Sequence, residues 1–265
     1  MPTSPTGAGD TGAAPGAGRV ALVTGVGRRI GIGAAIAERL AADGFDVGFT
    51  WWSPYDTRMP WGADEPTHDA VRSFVEGAGA RCVAVEADLE RPGTAGDVFE
   101  AVEADLGPVT ALVMCHCESV DSGILDTTVE SFDRHFAVNA RATWLLIREL
   151  GRRYRGAHGD GRIVALTSDH TVHNLPYGAS KGALDRMTIA AADELAHLGI
   201  TANVVNPGAT DTGWMTPDLL ASVAAATPLG RVGQPGDVAN LVSFLCSPAG
   251  GWINGQLLSS NGGST

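Results

Sequence analysis

The sequence predicts an α/β fold: a single domain built on a doubly wound parallel sheet of about seven strands with helices on both faces. Three observations carry this expectation. From Arg19 onward, short apolar runs of strand character alternate with longer segments of helical period. A glycine-rich turn stands directly between the first strand and the first helix. The composition, 44% apolar and 18% charged over 265 residues, suits one sheet covered on both sides.

The strands are expected at 19–24 (RVALVT), 45–51 (FDVGFTW), 81–86 (RCVAVE), 110–115 (TALVMC), 162–168 (RIVALTS), 201–205 (TANVV) and 256–259 (QLLS). Helices fill the gaps near 31–43, 66–78, 94–106, 130–155, 177–198 and 236–247. Residues 1–18 hold no Val, Ile, Leu or aromatic side chain, so they cannot offset the entropy of ordering and are expected to be a disordered tail before a domain spanning 19–265. In such sheets ligands bind beyond the carboxyl ends of the strands, and candidate functional residues are sought there.

Acidic residues outnumber basic ones 30 to 18, and the net charge of −12 opposes binding to nucleic acid or to anionic lipid. No segment approaches the roughly 18 uninterrupted apolar residues of a membrane span, and the N-terminus lacks the basic region and apolar core of a secretory signal. A cytoplasmic location is expected. Cys82, Cys115, Cys117 and Cys246 fall mostly in apolar runs, the pattern of reduced thiols. Cys115-His116-Cys117 does not read as a metal site, because alternate residues of a strand face opposite ways.

After the first strand comes Thr24-Gly25-Val26-Gly27-Arg28-Arg29-Ile30-Gly31-Ile32-Gly33. Glycines allow a tight turn and close backbone approach, and a helix starting near Gly31 aims free N–H groups at a pyrophosphate. Gly25, Gly31, Ile32 and Gly33 are thus the candidate dinucleotide cradle. The second strand ends in Thr50-Trp51-Trp52 with no carboxylate for the adenosine ribose. Arg28 and Arg29 can instead pair with a 2′-phosphate, which favours NADP(H). NAD(H) is the alternative, with Asp56 or another group reaching the ribose while the arginines stay solvated.

The chain has seventeen arginines and one lysine, and that lysine stands four residues after a tyrosine, in Tyr177-Gly-Ala-Ser-Lys181. At this spacing on a helix the two side chains share a face about 6 Å apart. The ammonium is expected to lower the phenol pKa toward that of a working acid and base. Ser168, at the end of the fifth strand, can hydrogen-bond a substrate oxygen in the same cleft. Asn139 sits in the helical run FAVNARATW, an unfavourable place for Asn that hints at a polar duty. Each of these two also has an ordinary structural reading.

With these residues in place, Arg19 to Gly263 resembles the short-chain dehydrogenase/reductases, especially their 3-oxoacyl reductase branch. The glycine-rich loop, Asp88-Leu89, Asn139, Ser168, Tyr177 with Lys181, Asn206-Pro207-Gly208 and the stretch PLGRVGQPGDVANLVSFLCSPAGGWINGQ carry the likeness. It implies a Rossmann-type fold and a catalytic tetrad of Asn139, Ser168, Tyr177 and Lys181. Tyr177 would protonate a carbonyl as hydride arrives, Ser168 would hold that oxygen, Lys181 would bind the nicotinamide ribose, and Asn139 would hold a relay water. Asp88, with Leu89, would meet the adenine, and Pro207, Gly208, Thr210 and Thr212 would grip the nicotinamide end. The helices 130–155 and 177–198 resemble a homo-oligomer interface of a tetramer or dimer.

Three departures stand out. Met114-Cys115-His116-Cys117 replaces the family's Asn-Asn-Ala-Gly, and two extra residues separate Gly25 from Gly31, as in the enoyl-reductase-like branch. Ser168 and Tyr177 are nine residues apart, four fewer than usual, which shortens the substrate loop. The expected function is an NADP(H)-dependent ketone or alcohol oxidoreductase acting on a small or acyl-type substrate. A non-catalytic dinucleotide sensor and a reductase of conjugated C=C bonds are the alternatives. A lid at 212–226, with Trp214, Met215 and Leu219, lines an apolar pocket or simply packs on the body.

Overall fold

A computed structural model describes residues 18–63 and 67–264. The N-terminal segment read as a tail therefore lies outside the described residues, Gly18 excepted. Seven strands form one all-parallel sheet: β1 Val20–Thr24, β2 Asp46–Trp51, β3 Cys82–Glu86, β4 Val109–Met114, β5 Gly161–Leu166, β6 Ile200–Asn206 and β7 Leu257–Ser259. Their spatial order is β3-β2-β1-β4-β5-β6-β7. The order reverses between β1 and β4, which opens a crevice above their carboxyl ends.

Strand alternation divides the core. Val20 and Leu22 of β1 point into one apolar cluster while Ala21 and Val23 point into the other. The first cluster packs α4 (Thr94–Leu106), α6 (Ala142–Arg153) and α7 (Leu175–Glu194) on the sheet. The second packs α1 (Ile32–Ala42), α3 (Thr67–Gly77) and α9 (Pro235–Cys246) on the opposite face. Strands covered on both sides need continuous apolar runs, as VALVT and VTALVM provide.

The structure corrects several expectations. The helical run 130–155 is three pieces, α5 (Val129–His135), a π-helical turn over Phe136–Arg141 and then α6. Strand β5 ends at Leu166, so Ser168 stands in the loop beyond it rather than at its last position. Two helices went unforeseen, α2 (Ser53–Arg58) and α8 (Pro217–Ala226), the second lying within the anticipated lid. No described helix is long and apolar enough to cross a membrane.

Candidate active site

The glycine-rich loop is shaped by its neighbours as much as by its own sequence. Gly25 has φ +77°, and a Cβ there would lie 2.5 Å from the His116 backbone nitrogen. A Cβ on Gly33 would lie 2.6 Å from the Gly25 carbonyl oxygen. Both positions therefore demand glycine. Helix α1 begins at Ile32, and its cap Gly31 offers no side-chain acceptor, which leaves the first N–H groups directed at the crevice. These features fit a dinucleotide pyrophosphate.

The two arginines of the loop part company. Arg29 pairs with Glu38 of α1 at 2.5 Å. Arg28 lies over the Trp61 ring, 5.2 Å from its centre. The second strand ends without a carboxylate, as expected, and Trp51 instead stacks on His68. Through α2, however, Asp56 returns to the loop: it is buried, and a Cβ on Gly27 would be 2.5 Å from its Oδ2. On the other side of the crevice, Asp88 Oδ1 accepts from the Glu90 amide and Leu89 is buried. Beyond β6, Gly208 takes φ +60°, its amide donates to Asn206 Oδ1, and Thr210 Oγ1 donates to the Pro207 carbonyl. Thr212 is half-buried just before Gly213.

Tyr177 and Lys181 come together as their spacing requires, with Lys181 Nζ 5.8 Å from the centre of the Tyr177 ring. Lys181 is only 2% exposed, and its ammonium donates to the Leu166 carbonyl at 2.8 Å. Burial lowers its pKa against the opposing pull of Cys117, Cys115 and Asp185. The expected depression of the Tyr177 pKa is not found. Burial pushes the phenol up, the Cys117 thiol adds to the rise, and only a hydrogen bond from Ser168 pulls it down. Desolvation is the largest cause, and the Lys181 ammonium, set over the ring face and donating to a carbonyl, does not reverse it.

Asn139 lies in the π-helical turn, fully buried. Its Oδ1 accepts from the Glu118 amide at 2.8 Å, and its Nδ2 donates to the Glu118 carbonyl at 2.8 Å and to Ser180 Oγ at 2.9 Å. Ser180 Oγ in turn donates to the Tyr177 carbonyl at 2.8 Å. The side chain is committed to protein partners and ties the loop after β4 to the turn bearing Tyr177 and Lys181. A relay water would have to use the Asn139 carbonyl, which already accepts from Thr143 Oγ1.

The Cys-His-Cys segment now has an assignment. His116 Nε2 faces the Val138 carbonyl at 3.1 Å, so that nitrogen carries the proton and Nδ1 accepts from Thr24 Oγ1 at 2.7 Å. The ring pins the end of β1 to the π-helical turn. Cys115 packs on the α1 side of the sheet. Cys117 is near enough to Tyr177 and Lys181 to act on both electrostatically, while burial raises its own pKa.

The shortened loop fits by local strain and a glycine. His173 adopts φ 63°, and a Cβ on Gly178 would be 2.2 Å from Thr171 Oγ1. The Leu175 amide donates to the Ser122 carbonyl, and Asn174 Nδ2 donates to Ser119 Oγ. Of the lid residues, Met215 is buried, whereas Trp214 is 50% exposed and Leu219 is also exposed.

A family profile described as Enoyl-(Acyl carrier protein) reductase matches residues 25–265. An NADPH-dependent aldehyde reductase-like chloroplastic protein of Arabidopsis thaliana is 38% identical over 261 residues, covering 94% of this chain and 95% of its own. The chain is a short-chain dehydrogenase/reductase. Among solved structures, a short-chain dehydrogenase/reductase from Serratia marcescens aligns with TM-score 0.83 and 30% identity, covering 94% of this chain and 98% of that one. The angucycline C-6 ketoreductase LanV, crystallised with NADP, aligns with TM-score 0.83 and 30% identity, covering 95% and 97%. The enzyme thus belongs to a family of oxidoreductases. Sequence reasoning missed Tyr55, Trp61, Glu118 and Asn174 around its crevice. Ser53-Pro54 was the available signal for the helix that brings Tyr55 into place, since Ser before Pro marks a helix start.

Burial lowers the pKa of His116 to about 3, and that of His135 also falls. Below the unfolded value of about 6.5, the unfolded chain takes up a proton that the native ring refuses, so stability falls as pH falls toward 3. His116 contributes a slope of about 1.4 kcal/mol per pH unit in that window. Urea unfolding of the enzyme and of His116→Asn between pH 7.5 and 5 checks this. The variant should show a shallower acid loss by about one proton's slope, and equal slopes would refute the account.

Proposed function

We propose that this enzyme transfers hydride between NADP(H) and a ketone or secondary alcohol, with a small or acyl-type substrate such as a 3-oxoacyl or polyketide-like chain. The observation that carries this reading is the half-buried Tyr177 phenol, beside Ser168 and four residues before the buried Lys181, above the carboxyl ends of β4, β5 and β6. The NADPH in the name of the Arabidopsis relative and the NADP bound to LanV support the cofactor.

Gly25, Gly31, Ile32 and Gly33 cradle the pyrophosphate, Asp88 and Leu89 bound the adenine side, and Pro207, Gly208, Thr210 and Thr212 bound the nicotinamide end. Arg28 and Arg29 are the candidates for the 2′-phosphate. Bound there, the cofactor supplies hydride. Tyr177 supplies the proton: a phenol held above its usual range stays protonated at neutral pH, which is the form a carbonyl reduction consumes. Ser168 orients the carbonyl oxygen against that phenol. Lys181 holds the nicotinamide ribose and offers its charge to the phenolate once the proton has left. Asn139 keeps the Tyr177 turn in register through Ser180.

The enoyl-reductase description of the matching profile and the elongated glycine loop favour a second reading, reduction of a conjugated C=C bond. The Tyr177-Lys181 spacing favours the carbonyl. That pair also argues against a cofactor sensor without turnover, since a binder needs no phenol set beside a buried ammonium. A homo-oligomer is supported by the groove that Phe136, Ala140, Trp144, Ala183 and Met187 line on the outer faces of the π-helical turn, α6 and α7.

A panel of ketones, alcohols and enones, followed by nicotinamide absorbance with both cofactors, tests the reading. Ketone turnover with NADPH is expected; turnover of enones alone would move the assignment to C=C reduction, and cofactor binding without turnover would make the protein a sensor. Tyr177→Phe should keep the NADPH dissociation constant and lose kcat, because only the proton donor is removed. Undiminished kcat would overturn the mechanism. Lys181→Arg preserves charge yet should lower kcat by about a hundredfold, because a guanidinium is bulkier and does not exchange its proton. A kcat within about threefold of the parent's would remove Lys181 from the mechanism.

A further inference from the structure

The two loop arginines are chemically alike and structurally opposite. Arg29, half-exposed, is paired with Glu38. Arg28 makes no ion pair and no side-chain hydrogen bond among the described residues, and its buried Nε has no partner. What holds it is an aromatic face, for its guanidinium lies 5.2 Å from the centre of the Trp61 ring. On its far side, a Cβ on Gly213 would be 3.3 Å from Arg28 Nη2, so the group bridges the crevice from the Trp61 shelf to the loop after β6. Stacking fixes the plane of a guanidinium while leaving its edge donors for an anion.

The shelf is itself held. Trp61 Nε1 donates to Asp56 Oδ1 at 3.0 Å, and the Tyr55 ring meets the indole edge-on with centres 6.4 Å apart. Asp56 is buried with Oδ2 over Gly27, where no Cβ would fit. Helix α2, which carries Tyr55 and Asp56, is moored to the loop after β4 by the Arg58–Glu118 ion pair and by Tyr55 donating to the Ser119 carbonyl. A partly exposed arginine ordinarily samples several rotamers, and this one rests against an anchored indole.

We propose that Trp61, fixed by Asp56, is a positioning residue that sets Arg28 as the guanidinium for a phosphate of the dinucleotide, a task Arg29 does not share. This rests on the NADP(H) reading above. The phosphate is either the 2′-phosphate or the pyrophosphate, and the two cofactors distinguish them because only NADPH carries the first.

The test is calorimetric titration of the full chain with NADPH and with NADH, for the parent and for Arg28→Ala, Arg29→Ala, Trp61→Leu, Trp61→Phe, Asp56→Asn and the double variant Trp61→Leu/Arg28→Ala. Arg28→Ala should weaken NADPH about tenfold or more, and Trp61→Leu about fivefold, as expected when a charge-assisted contact is lost or loosened. Arg29→Ala should stay within about twofold, whereas Trp61→Phe, which keeps an aromatic face but loses the Nε1 donor to Asp56, should fall between the parent and Trp61→Leu. The double variant should bind no more weakly than Arg28→Ala, since the indole acts only through the guanidinium. Losses confined to NADPH assign the 2′-phosphate, and equal losses with NADH assign the pyrophosphate. Parent-like binding by Trp61→Leu would overturn the proposal, as would an additive loss in the double variant. Asp56→Asn keeps an acceptor for the indole and should retain NADPH binding; a selective loss of NADH would instead make Asp56 the reader of the ribose hydroxyl and overturn the shelf. Equal affinity of the parent for both cofactors would defeat the NADP(H) reading alone, leaving the coupling between Trp61 and Arg28 as a separate result.

Discussion

The buried amide of Asn139 joins three pieces of chain that are remote in sequence. It closes two hydrogen bonds with the Glu118 backbone and a third with Ser180, which holds the Tyr177 carbonyl. A buried primary amide is costly unless satisfied, and here each of its bonds also satisfies a backbone or hydroxyl group that would otherwise be stranded. This arrangement demands that the side chain project from the helix toward the loop after β4. The π-helical turn over Phe136–Arg141 contains that residue, and the neighbouring Val138 carbonyl receives His116. The same turn therefore fixes Asn139 and, through His116, the end of β1.

Much of this fold is legible in the sequence, for a physical reason: strands buried on both faces must be short and apolar, and VALVT, VTALVM and GRIVAL are. The Tyr177-Lys181 pair was legible because helical spacing alone brings the two together. Asn139 announced itself as a polar residue out of place. Its partners did not, since backbone groups of Glu118 have no signature. Helix α2 is six residues long, too short for a period to show, and α8 has no buried residue, so its start was written only in Thr216-Pro217, where Thr216 caps the Leu219 amide.

The error over Tyr177 is more instructive. A sequence shows which charge is near a phenol but not how much water has been excluded from both. Here the ammonium is buried, docked on the Leu166 carbonyl and set over the ring face, while burial and the charge of the Cys117 thiol push the phenol upward. Desolvation then exceeds attraction. Under the proposed mechanism the consequence is directional, because the phenol rests protonated and the lysine becomes most effective only when charge develops on the phenolate.

Charge imposes a similar discipline on the other end of the crevice. A chain of net charge −12 must gather a highly anionic dinucleotide, and bulk electrostatics work against it. In the proposed reading local groups do so: glycine-rich backbone, an uncapped helix start and the Arg28 guanidinium, which pairs with no carboxylate among the described residues. Arg29, Arg39, Arg58, Arg81 and Arg153 each stand against an acidic side chain. Arg28 stands against an indole. Pairing it with a carboxylate would have ordered it equally well but would have required breaking that pair for each phosphate bound. Stacking orders the group without satisfying it, and an ordered but unsatisfied donor set binds an anion without first losing a partner.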